Sequence, residues 1–314
     1  VHKPEAEAGA VSDRAVRVVG AVKRYGRSTA LDGLDLELRP GEWLGLLGAN
    51  GAGKTSAMLA IAGLVNLDGG RIELSGQRVS GPRPDLVGWV PQEIALYPHL
   101  TARENLRAFG RLHGLRGDHL RERLQWALEW TGLQARAADR VEAYSGGMKR
   151  RLNIACGVLH HPRVLLLDEP TVGVDPQARE RILTMLDRLR SDGTALLQST
   201  HEFGDVEATC DRLVIMDHGR SIASGTVEEL VRNTVGDHAA LTLEVEGTLP
   251  PKQCGEAVRC EGSTVTATLD DVATELPRLL EKIEEVGCRV AHLDVRRTGL
   301  TEVFMRLTGR DLRE

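Results

Sequence analysis

The chain has 314 residues, 41% apolar and 27% charged, with a formal net charge of −5. That balance excludes a disordered chain and a generally polyanion-binding surface, and the length allows a full core plus a second, smaller unit. No apolar run approaches the roughly 20 residues that cross a bilayer, and five cysteines (156, 210, 254, 260 and 288) without CxxC spacing fit a reducing compartment.

In chain order, residues 1–14 read as a flexible lead-in with no apolar signal segment. Strand-like runs VRVVGAV, LDLEL, WLGLLG, RIELSG and LVGWV fill residues 16–90, and helix-like segments follow at about 102–115 and 118–132. A third helix begins after the Ser-Gly-Gly at 145–147 and leads to the strand VLLLD. From there TALLQST and RLVIMD alternate with helical segments 177–190 and 203–209, which predicts a predominantly parallel α/β sheet. Near 233–238 the pattern relaxes. Beyond it come LTLEVEG, STVTATL, an amphipathic helix, RVAHLDV and a last helix, a small α+β appendage. Leu276, Leu279, Leu280 and Ile283 in the first of those helices keep the i, i+3, i+4, i+7 spacing of one buried face. The predicted organisation is therefore a lead-in (1–14), a main domain (15–235) with a helical subdomain at about 93–160, and a C-terminal accessory domain (236–314). Cys254 and Cys260, within that last part, are close enough in sequence to pair, but free thiols are expected.

GANGAGKT at 48–55 follows the apolar strand EWLGLL and precedes the helix-like SAMLAIAGL, the strand–loop–helix context of a phosphate-binding loop. Gly48, Gly51 and Gly53 let the backbone around Ala49, Asn50 and Ala52 curl so that successive N–H groups face inward. The helix start at Thr55 and Ser56 adds unpaired donors and a partial positive charge. Lys54 is expected to reach β- and γ-phosphates, and the Thr55 hydroxyl to offer an oxygen to Mg²⁺. The motif alone does not separate a kinase from a GTPase or a transport ATPase.

VLLLDEP is an apolar strand ending in two carboxylates, and ligands gather at the carboxyl ends of parallel strands. Asp168 there can hold a Mg²⁺ shell, while Glu169, one residue on, points elsewhere and can polarise a water. Taken alone, Asp-Glu before Pro can equally end a strand and start a turn.

With the Ser-Gly-Gly turn included, residues 15–225 resemble the nucleotide-binding subunit of ABC transporters, whose signature has the form L-S-G-G-Q. Here it reads Y-S-G-G-M at 144–148, with Tyr144 and Met148 in place of the usual Leu and Gln. The resemblance implies an α/β P-loop NTPase fold of the ABC type, ATP and Mg²⁺ as ligands, and ATP hydrolysis. It also implies a head-to-tail homodimer in which Ser145, Gly146 and Gly147 of one copy serve the nucleotide held by the other. By the same resemblance Tyr25 stacks on adenine, Gln92 touches Mg²⁺ and the attacking water, Asp175 crosses the dimer interface and His201 contacts the γ-phosphate. Without the family, a core residue is an alternative reading of Tyr25, and a capped surface histidine of His201.

Residues 93–116 resemble the segment that receives a membrane partner, most like exporter subunits of the daunorubicin-resistance type. The tail GLTEVFMRLTGRDLRE looks like the end of that subgroup's C-terminal extension. The expected role is to power export of a drug- or lipid-like substrate through separate integral-membrane permease subunits. The expected location is cytoplasmic, peripheral on the inner face of the cell membrane, with no nucleic acid bound. The competing reading is a non-transport ATPase of the same fold acting on nucleic acid or ribosomes. A phosphotransferase is disfavoured because the signature and Glu169 point to water as acceptor.

Three further features carry expectations. Trp126 and Trp130, at i, i+4, read as completing the helical subdomain's core, with contact to the membrane subunit as the alternative. His160 and His161 are expected to interact favourably with a helix C-terminus rather than bind metal. The basic run Met148–Arg151 is expected to be a solvated helix face.

Overall fold

The computed structural model describes residues 13–236, 238–246 and 258–309. The chain divides into two compact units, Val1–Ser224 and Gly225–Glu314.

Two sheets organise the first unit. The strand-rich first ninety residues supply an antiparallel four-stranded sheet in the order Ser28–Leu38, Val16–Tyr25, Gly69–Leu74, Gln77–Val79. The second sheet has six strands, ordered Arg220–Gly225, Arg212–Asp217, Trp43–Leu47, Ala195–Thr200, Val164–Asp168, Val87–Val90. Its four central contacts, from Arg212–Asp217 across to Val87–Val90, are all parallel. Every residue of Trp43–Leu47, Val164–Asp168 and Ala195–Thr200 is buried, as near-continuous apolar runs in a sheet covered on both faces should be. Register aligns the strand ends: Asp168 lies beside Ser199, and Leu47 beside Thr200. The loops that leave those ends therefore converge on one edge, at the carboxyl side of the sheet.

A helical subdomain follows Val87–Val90, with helices Ala102–Leu112, Gly117–Thr131 and Gly146–Val158. The first of them starts at a reciprocal cap, Thr101 accepting from the Glu104 N–H while Glu104 accepts from Thr101. Leu106, Leu124, Leu128 and Leu152 form its buried centre. Trp126 and Trp130 stack at 5.2 Å, half-buried against both that centre and the core under the six-stranded sheet. They pack as core residues joining the two, and the Arg123 guanidinium covers the Trp126 face at 3.8 Å.

Two expectations are corrected here. Arg150 and Arg151 are not on a solvated face: they are 6% and 9% exposed. Arg150 Nη1 donates to the Gln92 carbonyl at 2.7 Å, and Arg151 donates to the carbonyl of Thr131. A helix that turns two arginines inward must supply carbonyl acceptors, and it finds them outside its own turns. Nor does His160 act as a cation at a helix end. Its ring stacks on His113 at 3.8 Å, and burial, helped by the His113 charge, pushes its pKa down to about 4. Burial lowers His161 as well. The cost of desolvating an imidazolium outweighs what a helix terminus returns.

A pH dependence follows. Unfolded His160 takes up its proton near 6.5, whereas folded His160 resists until about 4. Stability from this group is thus fully present above 6.5 and lost as pH falls through that window. The urea midpoint should drop between those values, and His160→Gln should flatten the slope. An unchanged slope in the variant would contradict the burial argument.

In the second unit an antiparallel sheet runs Val258–Glu261, Thr264–Leu269, Ala239–Glu246, Arg289–Arg297. Helix Val272–Glu285 buries Leu279 and Ile283 against it, with Leu276 and Leu280 partly buried on the same face. The division at 224/225 assigns helix Val227–Thr234 to this unit, whereas the sequence pattern relaxes only after that helix. Of the possible Cys254–Cys260 pair, Cys254 lies outside the described residues, and Cys156, Cys210 and Cys288 are free thiols.

Candidate active site

The loop after Trp43–Leu47 wraps from Gly48 to Gly53 before helix Lys54–Ile61 begins. Gly53 has φ +104°, and a Cβ there would sit 2.3 Å from the Ala30 carbonyl oxygen. Only glycine meets both conditions. The Lys54 side chain, 6% exposed, folds back so that Nζ donates to the Gly48 carbonyl at 2.6 Å and the Ala49 carbonyl at 3.1 Å. Burial lowers its pKa, and the charges of Glu169 and Asp168 act in the opposite direction.

Above this loop lies a cleft of about 340 Å³, whose walls include Asn50, Lys54, Thr55, Gln92 and Glu169. Thr55 Oγ1 donates to Asp168 Oδ2 at 3.0 Å, and the Ser199 hydroxyl donates to Asp168 Oδ1. Ser199 Oγ also accepts the Glu169 backbone N–H at 3.1 Å. Glu169 is 7% exposed and sits at φ +47°, a left-handed conformation that is unfavourable for a residue with a Cβ. That backbone turn sends its carboxylate away from Asp168. Oε2 accepts from Gln92 Nε2 at 2.7 Å, and Oε1 lies 2.7 Å from His201 Nδ1. Four strand ends thus bring together Lys54 and Thr55, Gln92, Asp168 with Glu169, and His201.

Other predicted residues stand apart. Ser145 caps helix Gly146–Val158 by accepting the Met148 N–H at 3.3 Å, and Ser145 and Gly146 are exposed. Gly147 is buried, and a Cβ there would come within 2.5 Å of the Ala178 Cβ. Asp175 caps helix Pro176–Ser191, accepting the Ala178 N–H at 2.9 Å. None of these four lines the cleft. Tyr25, 46% exposed at its strand end, is not a core residue, and neither does it line the cleft. Tyr144 is buried, its hydroxyl donating to the Arg136 carbonyl at 2.6 Å.

Sequence reasoning missed Ser199, and it missed Ser28, Thr29 and Ala30 on the cleft wall. The available signal for Ser199 was a hydroxyl at the end of a buried strand, two places before His201. Ser28–Ala30 had none beyond following Tyr25, because they reach the cleft through the pairing of the antiparallel sheet.

The donor set fits a small hard cation that arrives with phosphates. Thr55 Oγ1 and Asp168 Oδ2 are oxygen donors side by side. Among the described residues no group of three His, Cys, Asp or Glu side chains forms a metal cage. Mg²⁺ characteristically takes one or two protein oxygens plus phosphates rather than such a cage.

Comparison with known proteins agrees with this geometry. A family described as ABC transporter matches residues 31–172. The chain is 37% identical over 306 residues to the linearmycin resistance ATP-binding protein LnrL of Bacillus subtilis (strain 168), covering 93% of this chain and 97% of that one. It is 38% identical to the Nod factor export ATP-binding protein I of Ralstonia nicotianae, covering 95% and 94%. Against the daunorubicin resistance ATP-binding protein DrrA3 of Streptomyces coeruleorubidus it is 37% identical, covering 96% and 98%. Among solved structures, an ATP-binding subunit of an ABC transporter superposes with TM-score 0.64 at 30% identity over 70% of this chain and 92% of that one. A dimeric bacterial ABC transporter cassette shares the fold, with TM-score 0.61 at 24% identity over 67% and 98%. Among the described residues no helix is long and apolar enough to cross a membrane. The daunorubicin-type subgroup expected from the sequence does not stand out among these relatives, and the match is to the wider family. With a phosphate loop, paired strand-end carboxylates and near full-length relatives in agreement, the chain belongs to the ATP-binding, ATP-hydrolysing subunits of ABC transporters.

Proposed function

We propose that two copies of this chain form the ATPase engine of an exporter that moves a drug- or lipid-like substrate through separate membrane-spanning subunits. Two of the relatives above are named for drug resistance and one for export, which supports outward transport. The engine lies on the cytoplasmic face of the cell membrane, where ATP is available. Segment 93–116 receives the membrane partner. It contributes to an apolar cleft of about 260 Å³ lined by Leu64, Trp89 and Phe109, beside the exposed Tyr97 and Leu112.

In this scheme Lys54 and the loop N–H groups hold the phosphates, and Tyr25 stacks on the adenine. Thr55, Asp168 and Gln92 hold Mg²⁺, which supplies charge neutralisation when bound. Glu169, fixed between Gln92 and His201, takes a proton from water as its oxygen bonds to the γ-phosphorus. The bond from that phosphorus to the β–γ bridging oxygen breaks, and ADP leaves. Ser145, Gly146, Gly147 and Asp175 serve the partner copy's nucleotide.

The observation that carries the dimer is the separation of the exposed Ser145 cap from its own chain's cleft. A helix start with free donors suits a phosphate, and a second copy can bring one. Mixing Lys54→Ala chains with Ser145→Ala chains tests this. Each variant alone damages both composite pockets, while a mixed dimer keeps one pocket with two good halves. Hydrolysis should recover to about a quarter of wild type, since half the dimers are mixed and one pocket in each works. No recovery on mixing would sink the shared-pocket scheme.

A further inference from the structure

The structure assigns to Arg150 a positioning role in hydrolysis: it clamps the backbone of Pro91 and Gln92 so that the Gln92 side chain meets Glu169. The inference rests on the ATPase reading above. Arg150 Nη1 donates to the Gln92 carbonyl at 2.7 Å and to the Pro91 carbonyl at 3.3 Å. One helical turn further on, Asn153 Oδ1 accepts the Ala95 N–H at 3.1 Å. Two residues of helix Gly146–Val158 thus grip the segment leaving strand Val87–Val90 at either end of a short stretch. The Gln92 side chain within that stretch donates to Glu169 Oε2 at 2.7 Å.

The cost of this arrangement argues that it does more than fill space. Arg150 is 6% exposed, its hydrogen bonds go to carbonyls, and the charge of Glu169 acts on it without a direct ion pair. Burying a guanidinium against carbonyls, with only the longer-range charge of Glu169 to offset the desolvation, is unfavourable compared with an apolar side chain of similar volume. What the guanidinium supplies, and an apolar residue would not, is a directional hold on two consecutive carbonyls. Without that hold the 91–95 segment keeps its covalent path, but the 2.7 Å contact to Glu169 loses its anchor. A misplacement of about 1 Å in such a group is enough to cost on the order of 10²-fold in rate.

The test is a double-mutant cycle on the full chain with Gln92→Ala and Arg150→Met, reading kcat, KM and ATP affinity. Arg150→Met should lower kcat about tenfold or more with ATP affinity within about twofold, because Arg150 does not itself line the cleft and reaches it only through Gln92. Added to Gln92→Ala it should cost less than about twofold more, since the two act through one contact. Arg150→Lys, which keeps charge and donors but loses the fork, should fall between wild type and Arg150→Met. If Arg150→Met does not fold, Arg150→Lys carries the same cycle. Additive losses, or a loss of affinity equal to the loss of kcat, would show that Arg150 only supports the fold. Absence of hydrolysis by the wild-type chain would instead overturn the ATPase reading itself.

Discussion

Glu169→Gln is expected to lower kcat for ATP hydrolysis by about 10²- to 10⁴-fold, the scale set by removing a positioned general base. Glutamine has the same shape, and the site can accommodate it. Its carbonyl oxygen can accept from Gln92 Nε2 as Oε2 does now, and its amide can donate to His201 Nδ1 in the tautomer that carries its proton on Nε2. The backbone hold from Ser199 is untouched, so the left-handed turn at residue 169 persists. What disappears is the carboxylate on the cleft wall that is able to take a proton from water. ATP binding should therefore survive and the closed dimer should accumulate, measurable by nucleotide titration and by size. Near-normal turnover in this variant would remove Glu169 from the mechanism.

Lys54→Ala should act at an earlier step, weakening ATP binding by about 10- to 100-fold, the range for one charge-assisted hydrogen bond. Nζ now rests on the Gly48 and Ala49 carbonyls, within the field of Asp168 and Glu169. Its removal leaves two carbonyls of the loop without their donor and leaves the acidic pair without its neighbouring cation. An anionic ligand then meets a site that is one charge more negative. Equilibrium binding of a fluorescent nucleotide separates the two variants: it should fall for Lys54→Ala and hold for Glu169→Gln. If both variants bound ATP as tightly as wild type, Lys54 would have no part in holding phosphate.

The contrast between those residues and Arg150 shows what kind of information each stretch of chain carries. Lys54 and Thr55 are legible because their task is local. A glycine loop between a strand and a helix fixes where its own N–H groups point, and neighbours in sequence remain neighbours in space. The carboxylates Asp168 and Glu169 are legible for a similar reason, as an apolar run that ends in charge marks the end of a buried strand. The i, i+4 spacing of Leu279 and Ile283 likewise survives folding, because helix periodicity is a property of the segment alone.

Arg150, Arg151 and His160 are different. Each was read from its own neighbourhood as a solvated or helix-end cation, and each is turned inward by contacts that no local pattern contains. Arg150 finds its carbonyl 58 positions away, and His160 finds a stacking partner at the end of another helix. Ser199 is joined to Asp168 only because two parallel strands pair in a given register. By itself the sequence determined the phosphate loop, the strand-end carboxylates and the two-part organisation, since all of these follow from periodicity and backbone geometry over a few residues. Tertiary structure alone decided which charges are buried, which carbonyls they hold and how Glu169 is gripped. Burial and hydrogen-bond pairing depend on what packs against a residue, and that is set by the whole chain.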